Sequence, residues 1–466
     1  MKTESIKRIV VLQLATLGFI LQIAAYGFIW YRYYINAVKL EFWNRGNWVV
    51  IGLYAIILLV FMNTYGGTKI GYLKPFEVFL SQLISLLATN VITYIQLSLM
   101  CNWFADVKPI AVMMAAQVVF TLGWVYLSDA FYKAVFPPRN LLLVHGERPI
   151  EDIIRKFDSR KDRYKIDGKI NIHEGMEAVH KEIENRYDGV VLWDIPTDTR
   201  NKLIKFCYSK SIRVYMMPKI PDVIIMGADK MHLFDTPILL TREYALTFEQ
   251  RVIKRCIDLF CAIILVILTS PIMLLTAFII KVSDGGPIFY KQVRRTIGDK
   301  DFRIIKFRSM RVDAEKDGKA RLASKKDPRI TPFGRFIRKV RIDELPQLFN
   351  IIAGDMSFIG PRPERPEIIE QYMEEMPEFA FRTKVKAGLA GYAQVYGKYN
   401  TTPYDKLKLD LTYIENYSVW LDIKLMLLTL KVLFLPDSTE GVEGDQITAL
   451  KNPSSASEEE DSSFLK

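Results

Sequence analysis

Apolar and polar positions divide the chain into four long uncharged runs, a stretch of short alternating segments, a fifth apolar run and a strongly charged remainder. Ile9 to Ile29 carries no charge, and neither do Asn47 to Tyr65, Val78 to Met100 or Pro109 to Ser128. A helix needs about 20 apolar residues to cross a hydrocarbon core of roughly 30 Å. Each run therefore predicts a spanning helix, and residues 1–135 predict a four-helix transmembrane domain. The first run is too long for a signal-peptide core and lacks a small-residue cleavage site, so it is expected to stay. Gln82, Asn90, Gln96 and Gln117 interrupt the runs with polar, uncharged groups, expected to bond helix to helix.

From Arg139 the period shortens. Leu141–Val144, Gly189–Leu192 and Ile212–Met216 read as buried strands, with helical stretches at Ile150–Phe157 and Arg200–Lys210. Strands alternating with helices predict a small Rossmann-like α/β domain over residues 136–243. The turn His145-Gly146-Glu147-Arg148-Pro149 holds one glycine where a dinucleotide fold needs about three, so a structural or regulatory domain is expected rather than a nucleotide sensor.

The fifth apolar run, Leu259–Ile280, is interrupted at Ser270-Pro271. Proline removes a backbone donor and clashes with the carbonyl four residues back, so a kink or break is expected there. Each half, some 15–18 Å long at 1.5 Å per residue, reaches through one leaflet. Arg251, Lys254 and Arg255 precede the run, and Lys281, Lys291, Arg294 and Arg295 follow it. Basic flanks on both sides predict that both ends face the cytoplasm, hence a re-entrant helix over residues 257–282. The last apolar stretch, Val419–Leu435, carries Lys424 and Lys431 seven apart on one helical face, which predicts an amphipathic helix in the interface. The Ser, Glu and Asp-rich residues 437–466 predict a disordered acidic tail.

Composition sharpens this picture. With 466 residues, net charge +11 and 50% hydrophobic residues, the chain reads as a basic membrane protein with a sizeable cytoplasmic part. Lys7, Arg8, Lys69, Lys74, Lys133 and Arg139 bias one face of the bundle towards the cytoplasm. Four scattered cysteines and four histidines exclude a disulfide scaffold and a zinc centre. The basic charge suits an anionic membrane surface, and no nucleic-acid partner is expected.

The charged remainder concentrates candidate chemistry. Lys306-Phe-Arg308-Ser-Met, Asp327-Pro-Arg329-Ile-Thr, Arg338, Arg341-Ile-Asp343-Glu344-Leu-Pro346-Gln and Gly360-Pro-Arg362-Pro place many cations around one acidic pair. Asp343 is a good helix N-cap, with Glu344 and Pro346 in the first turn, a position suited to a phosphate. Lys306, Arg308, Arg338 and Arg362 would complete an anion clamp. Asp343 and Glu344 together suit a hard divalent ion such as Mg²⁺ held jointly with substrate phosphates. A carboxylate can also attack phosphorus directly.

In order, Lys254-Arg255-x-x-Asp258, the Ser270-Pro271 break, GPIFYKQ, KFRSM, DPRIT, GRFIRKVRIDELPQL and GDMSFIGPRP resemble the bacterial sugar transferase family, the monotopic polyprenyl-phosphate phosphoglycosyltransferases. The similarity covers about Tyr244 to Leu435, within a catalytic domain expected over residues 244–436. It implies an enzyme of the bacterial cell membrane, cytoplasmic in its active site, that moves a sugar 1-phosphate from a UDP-sugar to undecaprenyl phosphate and releases UMP. It further implies Asp343 as nucleophile, Glu344 assisting through Mg²⁺ or the lipid phosphate, and phosphate contacts at Lys306, Arg338 and Arg362, with Arg308 in the same motif. Long members begin exopolysaccharide or capsule synthesis, and a homodimer is the implied assembly. Gly391, Tyr392 and Gln394 fall in a stretch of the family's active-site region, in which Ala387, Ala390 and Tyr392 depart from the usual pattern, as does Thr296 further upstream. Two other classes compete: a membrane sensor or scaffold without activity, and a metal-dependent glycosyltransferase using Asp299-Lys-Asp301.

Overall fold

The computed structural model describes residues 2–38, 44–185, 187–241, 245–312, 327, 329–397 and 401–434. The expected tail, 437–466, lies outside them. The chain divides into two compact units, Met1–Pro218 and Lys219–Lys466.

The first unit opens with four long helices, α1 (Lys2–Ile29), α2 (Asn44–Tyr65), α3 (Pro75–Met100) and α4 (Lys108–Val135). With the helix near Pro271 they make five that are long and apolar enough to cross a membrane. The polar residues inside them tie neighbours together. The Asn90 amide donates to Gln117 Oε1 (2.9 Å), Gln117 to the Tyr54 hydroxyl (3.0 Å) and Tyr54 to Asn90 Oδ1 (3.1 Å). This closed ring leaves no polar group of the three facing lipid unpaired, the condition that a membrane interior imposes. Gln82 donates to the Gly67 carbonyl instead, and Gln96 bonds, among the described residues, to Met100 Sδ of its own helix, against the helix-to-helix expectation.

A four-stranded parallel sheet follows, built from β1 (Arg139–His145), β2 (Tyr164–Asn171), β3 (Gly189–Trp193) and β4 (Arg213–Met216) in the order β2-β1-β3-β4. Helices α5 (Glu151–Asp158), α6 (Met176–Ile183) and α7 (Thr197–Ser209) connect the strands. Leu141–Val144 and Val190–Leu192 are wholly or almost wholly buried, as strands covered on both faces must be. In such sheets the crevice beside the strand ends is the usual ligand position. Here the Asp194 carboxylate fills it, accepting from the Arg148 amide (3.1 Å) and pairing with the Arg148 guanidinium (3.2 Å). An acceptor already held there opposes phosphate.

The second unit begins earlier than the sequence suggested. Helix α8 (Ile220–Met226) contributes Ile220 and Val223 to the unit's main core, so the division falls after Pro218 rather than at 243. A hairpin, β5 (Asp229–Leu233) and β6 (Thr236–Leu240), leads to α9 (Phe248–Asp284). The remaining elements are the antiparallel ribbon β7 (Phe289–Arg295) and β8 (Asp301–Phe307), α10 (Pro332–Lys339), α11 (Gln347–Ala353), β9 (Ser357–Ile359), α12 (Pro366–Glu375), β10 (Gly388–Ala390), α13 (Tyr392–Tyr396), α14 (Pro403–Glu415) and α15 (Val419–Val432).

Helix α9 runs unbroken through Ser270-Pro271, against the expected division into two halves. Pro271 has no amide for the Ile267 carbonyl; the Ser270 hydroxyl donates to that carbonyl instead (2.8 Å), so the helix survives its proline. Both halves pack on the same domain. Ala262 lies in the main core, while Met273 and Ile280 pack with Phe307 and Ile337. The opposite side exposes Phe260, Ile267, Leu268, Leu274 and Phe278.

Helix α15 corrects another expectation. Asp422, Leu425, Leu428 and Lys431 form its buried side, so the face carrying Lys431 is turned inward rather than to an interface.

Candidate active site

Three residues at the start of α9 fasten it to the site. Lys254 Nζ donates to the Ile359 carbonyl (2.9 Å) and pairs with Asp422 (2.6 Å), whose other oxygen accepts from the Tyr413 hydroxyl (2.8 Å). Arg255 caps the end of α11 through the Ile351 and Ile352 carbonyls (2.6 and 2.7 Å). Asp258 accepts from the Ser357 hydroxyl and the Phe358 amide, both at 3.0 Å. The Lys-Arg-x-x-Asp spacing therefore pins β9, whose end runs directly into Gly360-Pro361-Arg362. A Cβ at Gly360 would stand 2.3 Å from the Lys386 carbonyl, so only glycine admits this approach.

Asp343 and Glu344 sit in a 3₁₀ turn, Ile342–Glu344, and α11 begins only at Gln347 with Pro346 as its cap. Asp343 is thus not an N-cap, because Leu345 and Leu348 already use the local carbonyls and close the turn before the helix starts. Arg341, before the turn, holds φ +59°, uncommon for a residue with a side chain, and this conformation swings the chain so that its guanidinium returns to Glu344.

Glu344 Oε1 receives three cations: Arg362 at 3.0 Å, Lys306 at 3.1 Å and Arg341 at 3.5 Å. Burial works to raise its proton affinity, but these charges prevail and hold the carboxyl well below the usual range. Asp343 fares differently. It is buried, its Oδ1 has no hydrogen-bond partner among the described residues, and burial, reinforced by the Glu344 charge, lifts its pKa to about 6. Burial also lowers the Lys306 ammonium, against the pull of Glu344. Two adjacent carboxylates thus differ sharply, one firmly ionised and one poised near neutrality.

The structure brings Lys306, Arg338 and Arg362 around the pair and adds Arg341, which the sequence places beside the pair but outside the expected clamp. Arg308 goes elsewhere: β8 ends at Phe307, and the Arg308 guanidinium faces Gly286, where a Cβ would lie 2.7 Å from Nη1. Gly391, Tyr392 and Gln394 follow β10, the partner of β9, with Gln394 Oε1 buried and unpartnered. Thr296 staples the region: its hydroxyl donates to the Asp355 carbonyl (2.8 Å) and accepts from the Ala387 amide (3.1 Å). Asp301 pairs with Arg295 (3.6 Å) at the exposed end of the β7–β8 ribbon, away from the carboxylate pair.

No group of three or more metal-ligating side chains occurs among the described residues. Asp343 and Glu344 nonetheless fit Mg²⁺, which takes one or two carboxylates and completes its shell with waters and substrate phosphates. The Asp343 carboxylate, bare at Oδ1 among the described residues, is a ligand of the required kind.

A carboxylate pair ringed by half-buried cations, on a domain that carries a long apolar helix, is suited to phosphoryl groups. The chain belongs to the bacterial sugar transferase family, whose pattern matches residues 249–436. It is 39% identical over 192 residues to the uncharacterized sugar transferase EpsL of Bacillus subtilis, covering 91% of that protein and 41% of this chain. It is 38% identical over 257 residues to a UDP-N-acetylgalactosamine-undecaprenyl-phosphate N-acetylgalactosaminephosphotransferase of Aeromonas hydrophila, 53% of this chain and 59% of that protein. With a UDP-glucose:undecaprenyl-phosphate glucose-1-phosphate transferase of Escherichia coli it shares 34% identity over 233 residues, 49% of this chain and 50% of that protein. The chain thus spans between half and three fifths of the length of these two transferases.

Proposed function

We propose that this protein transfers a sugar 1-phosphate from a UDP-sugar to undecaprenyl phosphate, releasing UMP, as the first membrane step of an exopolysaccharide or capsule repeat unit. The observation that carries the reading is the buried, unpartnered Asp343 oxygen beside a Glu344 held ionised by Lys306, Arg362 and Arg341. The activities of the Aeromonas and Escherichia relatives supply the substrate class.

In the first step Asp343 Oδ1 attacks the sugar-bearing phosphorus. The bond from that phosphorus to the bridging oxygen breaks, and UMP departs with the electron pair. In the second step a phosphate oxygen of undecaprenyl phosphate attacks the same phosphorus, and Asp343 leaves as a carboxylate. Lys306, Arg338 and Arg362 meet the phosphate charge, and burial makes each contact stronger than in water. Mg²⁺, held by Asp343 and Glu344 with the diphosphate, would neutralise part of the leaving group's charge.

Helix α9 would enter and leave the bilayer on the cytoplasmic side. Its two halves pack on one domain, which a straight span would have to follow across the membrane. Arg251 and Lys254 before it and Lys281 after it agree with that reading. The sheet of β1–β4 would be structural or regulatory, and a homodimer is the assembly proposed.

Intact-mass measurement on protein incubated with UDP-sugars and no acceptor tests the covalent route. The expected result is an added sugar phosphate on Asp343, lost when undecaprenyl phosphate follows. Turnover without any adduct, in a rapidly quenched sample, would replace it with direct transfer.

A further inference from the structure

Arg294 is a half-buried cation whose Nε is shut away from solvent. Its Nη2 donates to Gln292 Oε1 (2.6 Å), whereas its Nε is buried with no acceptor among the described residues. Leaving a guanidinium N–H unpaired away from water is costly, and such groups are ordinarily satisfied. The acidic group nearest in the charge network, Glu364, does not supply the bond: it is paired with Lys406. Glu364 is so well provided with cations that its carboxyl is pulled down to about 2, against its burial.

The ribbon fixes where Arg294 points. In β7–β8, Tyr290 pairs with Lys306, Gln292 with Ile304 and Arg294 with Phe302. Directly opposed residues share a face, and Ile304 and Phe302 lie in the main core. Arg294 and Lys306 are therefore on the same inward face, roughly 13 Å apart along the strands at 3.3 Å per residue. Arg362 closes the gap, near enough for its charge to bear on both Arg294 and Lys306. The loop that carries it is held to β7 by the Arg295 amide on the Glu364 carbonyl (3.3 Å) and braced by Arg382 on the Arg362 carbonyl (2.9 Å). A row of three cations, Lys306, Arg362 and Arg294, lines one face; among the described residues Glu344 pairs with Lys306 and Arg362, at the end of the row away from Arg294.

We infer that Arg294 binds a second phosphoryl group, beyond the one received by Lys306 and Arg362, through the guanidinium edge that has no protein acceptor. This rests on the proposed transfer, in which two phosphoryl groups besides the transferred one visit the site. The donor's nucleotide phosphate and the lipid phosphate share the required chemistry, and kinetics separates them.

The test uses the full-length protein in detergent, with Arg294→Gln and Arg294→Lys beside wild type. For Arg294→Gln the expected loss is roughly 10–100-fold in KM for one substrate, the range for one hydrogen bond to a charged group. A raised UDP-sugar concentration for half-maximal rate of the acceptor-free UMP burst assigns the nucleotide phosphate; a raised KM for undecaprenyl phosphate alone, in turnover with both substrates, assigns the lipid phosphate. Arg294→Lys, which keeps the charge but loses the fork, is expected to recover part of the loss. Protection against thermal unfolding by inorganic pyrophosphate provides a readout independent of turnover, and it should shrink in Arg294→Gln. If wild type releases no UMP, the transfer reading fails while the pyrophosphate measurement still decides the role of Arg294. Unchanged KM values and unchanged pyrophosphate protection, with only a lower melting temperature, would overturn the inference and leave Arg294 a counter-ion of Glu364. Should Arg294→Gln fail to fold, Arg294→Lys decides alone: wild-type behaviour in every assay overturns it.

Discussion

Asp343 and Glu344 are neighbours in sequence with opposite proton affinities, and the difference comes from what each oxygen touches. Glu344 Oε1 collects Arg362, Lys306 and Arg341, whereas Asp343 Oδ1 collects nothing among the described residues. Because the folded-state pKa of Asp343 is raised to about 6 from about 3.9 in an unfolded chain, its ionised form costs stability. That cost appears as pH rises from about 4 through 6 and is full above that. Asp343→Asn should therefore be more stable than wild type at pH 7.5, by about 1–3 kcal/mol, with the gap closing towards pH 4. Thermal melts across that pH range check this; a less stable variant at pH 7.5 would contradict it. The same pKa predicts that the rate constant of the acceptor-free UMP burst, at low UDP-sugar, falls about tenfold per pH unit below 6, and a flat profile between pH 5 and 7 would count against Asp343 as the nucleophile. The acidic pair, Lys306 and Arg362 were readable from the sequence because charge and motif order identify them. Arg341 was not, since its return to Glu344 depends on a positive φ that no residue type announces. Arg308 was misread because β8 ends one residue before it, so the two-residue spacing from Lys306 no longer implies a shared face.

At the scale of elements, α9 is the case where a rule read from sequence met a local remedy. Pro271 was correctly located, yet the Ser270 hydroxyl supplies the bond its ring removes and the helix continues. The charged start of α9 matters more to the site: Lys254 ties the helix to Ile359, Tyr413 and Asp422 at once. Lys254→Met leaves the Asp422 carboxylate buried without its cation and should destabilise the domain by about 3–5 kcal/mol. Denaturant unfolding of the variant measures it, and a cost under about 1 kcal/mol would mean that the pair holds nothing together. Strand β2 escaped the sequence reading for a related reason. Its burial alternates along an edge position, and its register with β1 shifts between Leu141 and Leu142, which blurs the hydrophobic signal that marked β1 and β3. Strands β5 and β6 are mostly exposed and carry no buried pattern to detect.

For the whole molecule, the parts were legible in number more than in extent. Long uncharged runs locate the helices that are long and apolar enough to cross a membrane, because length and hydropathy suffice for that. The end of the α/β unit was placed too late, since Ile220 and Val223 look like local helix residues and only packing assigns them to the second core. The re-entrant reading makes a topological prediction: single cysteines at Thr247 and Gly285, flanking α9, should both label from the cytoplasmic face of sealed vesicles, and labelling from opposite faces would make α9 a span. The Bacillus relative is matched over 91% of its length by 41% of this chain. Residues 219–466 expressed alone should keep UMP release within about tenfold of the full chain; complete loss from a folded fragment would give the first unit a catalytic part.

The central claim is that Asp343 attacks phosphorus before any lipid arrives. It is tested most directly by rapid-quench measurement of UMP from purified full-length protein, Mg²⁺ and a panel of UDP-sugars without acceptor, with Asp343→Asn alongside. The account predicts a burst approaching one UMP per protein with one donor and none from the variant. UMP that forms only after undecaprenyl phosphate is added, with no burst before it, would contradict the covalent intermediate and leave direct transfer in its place.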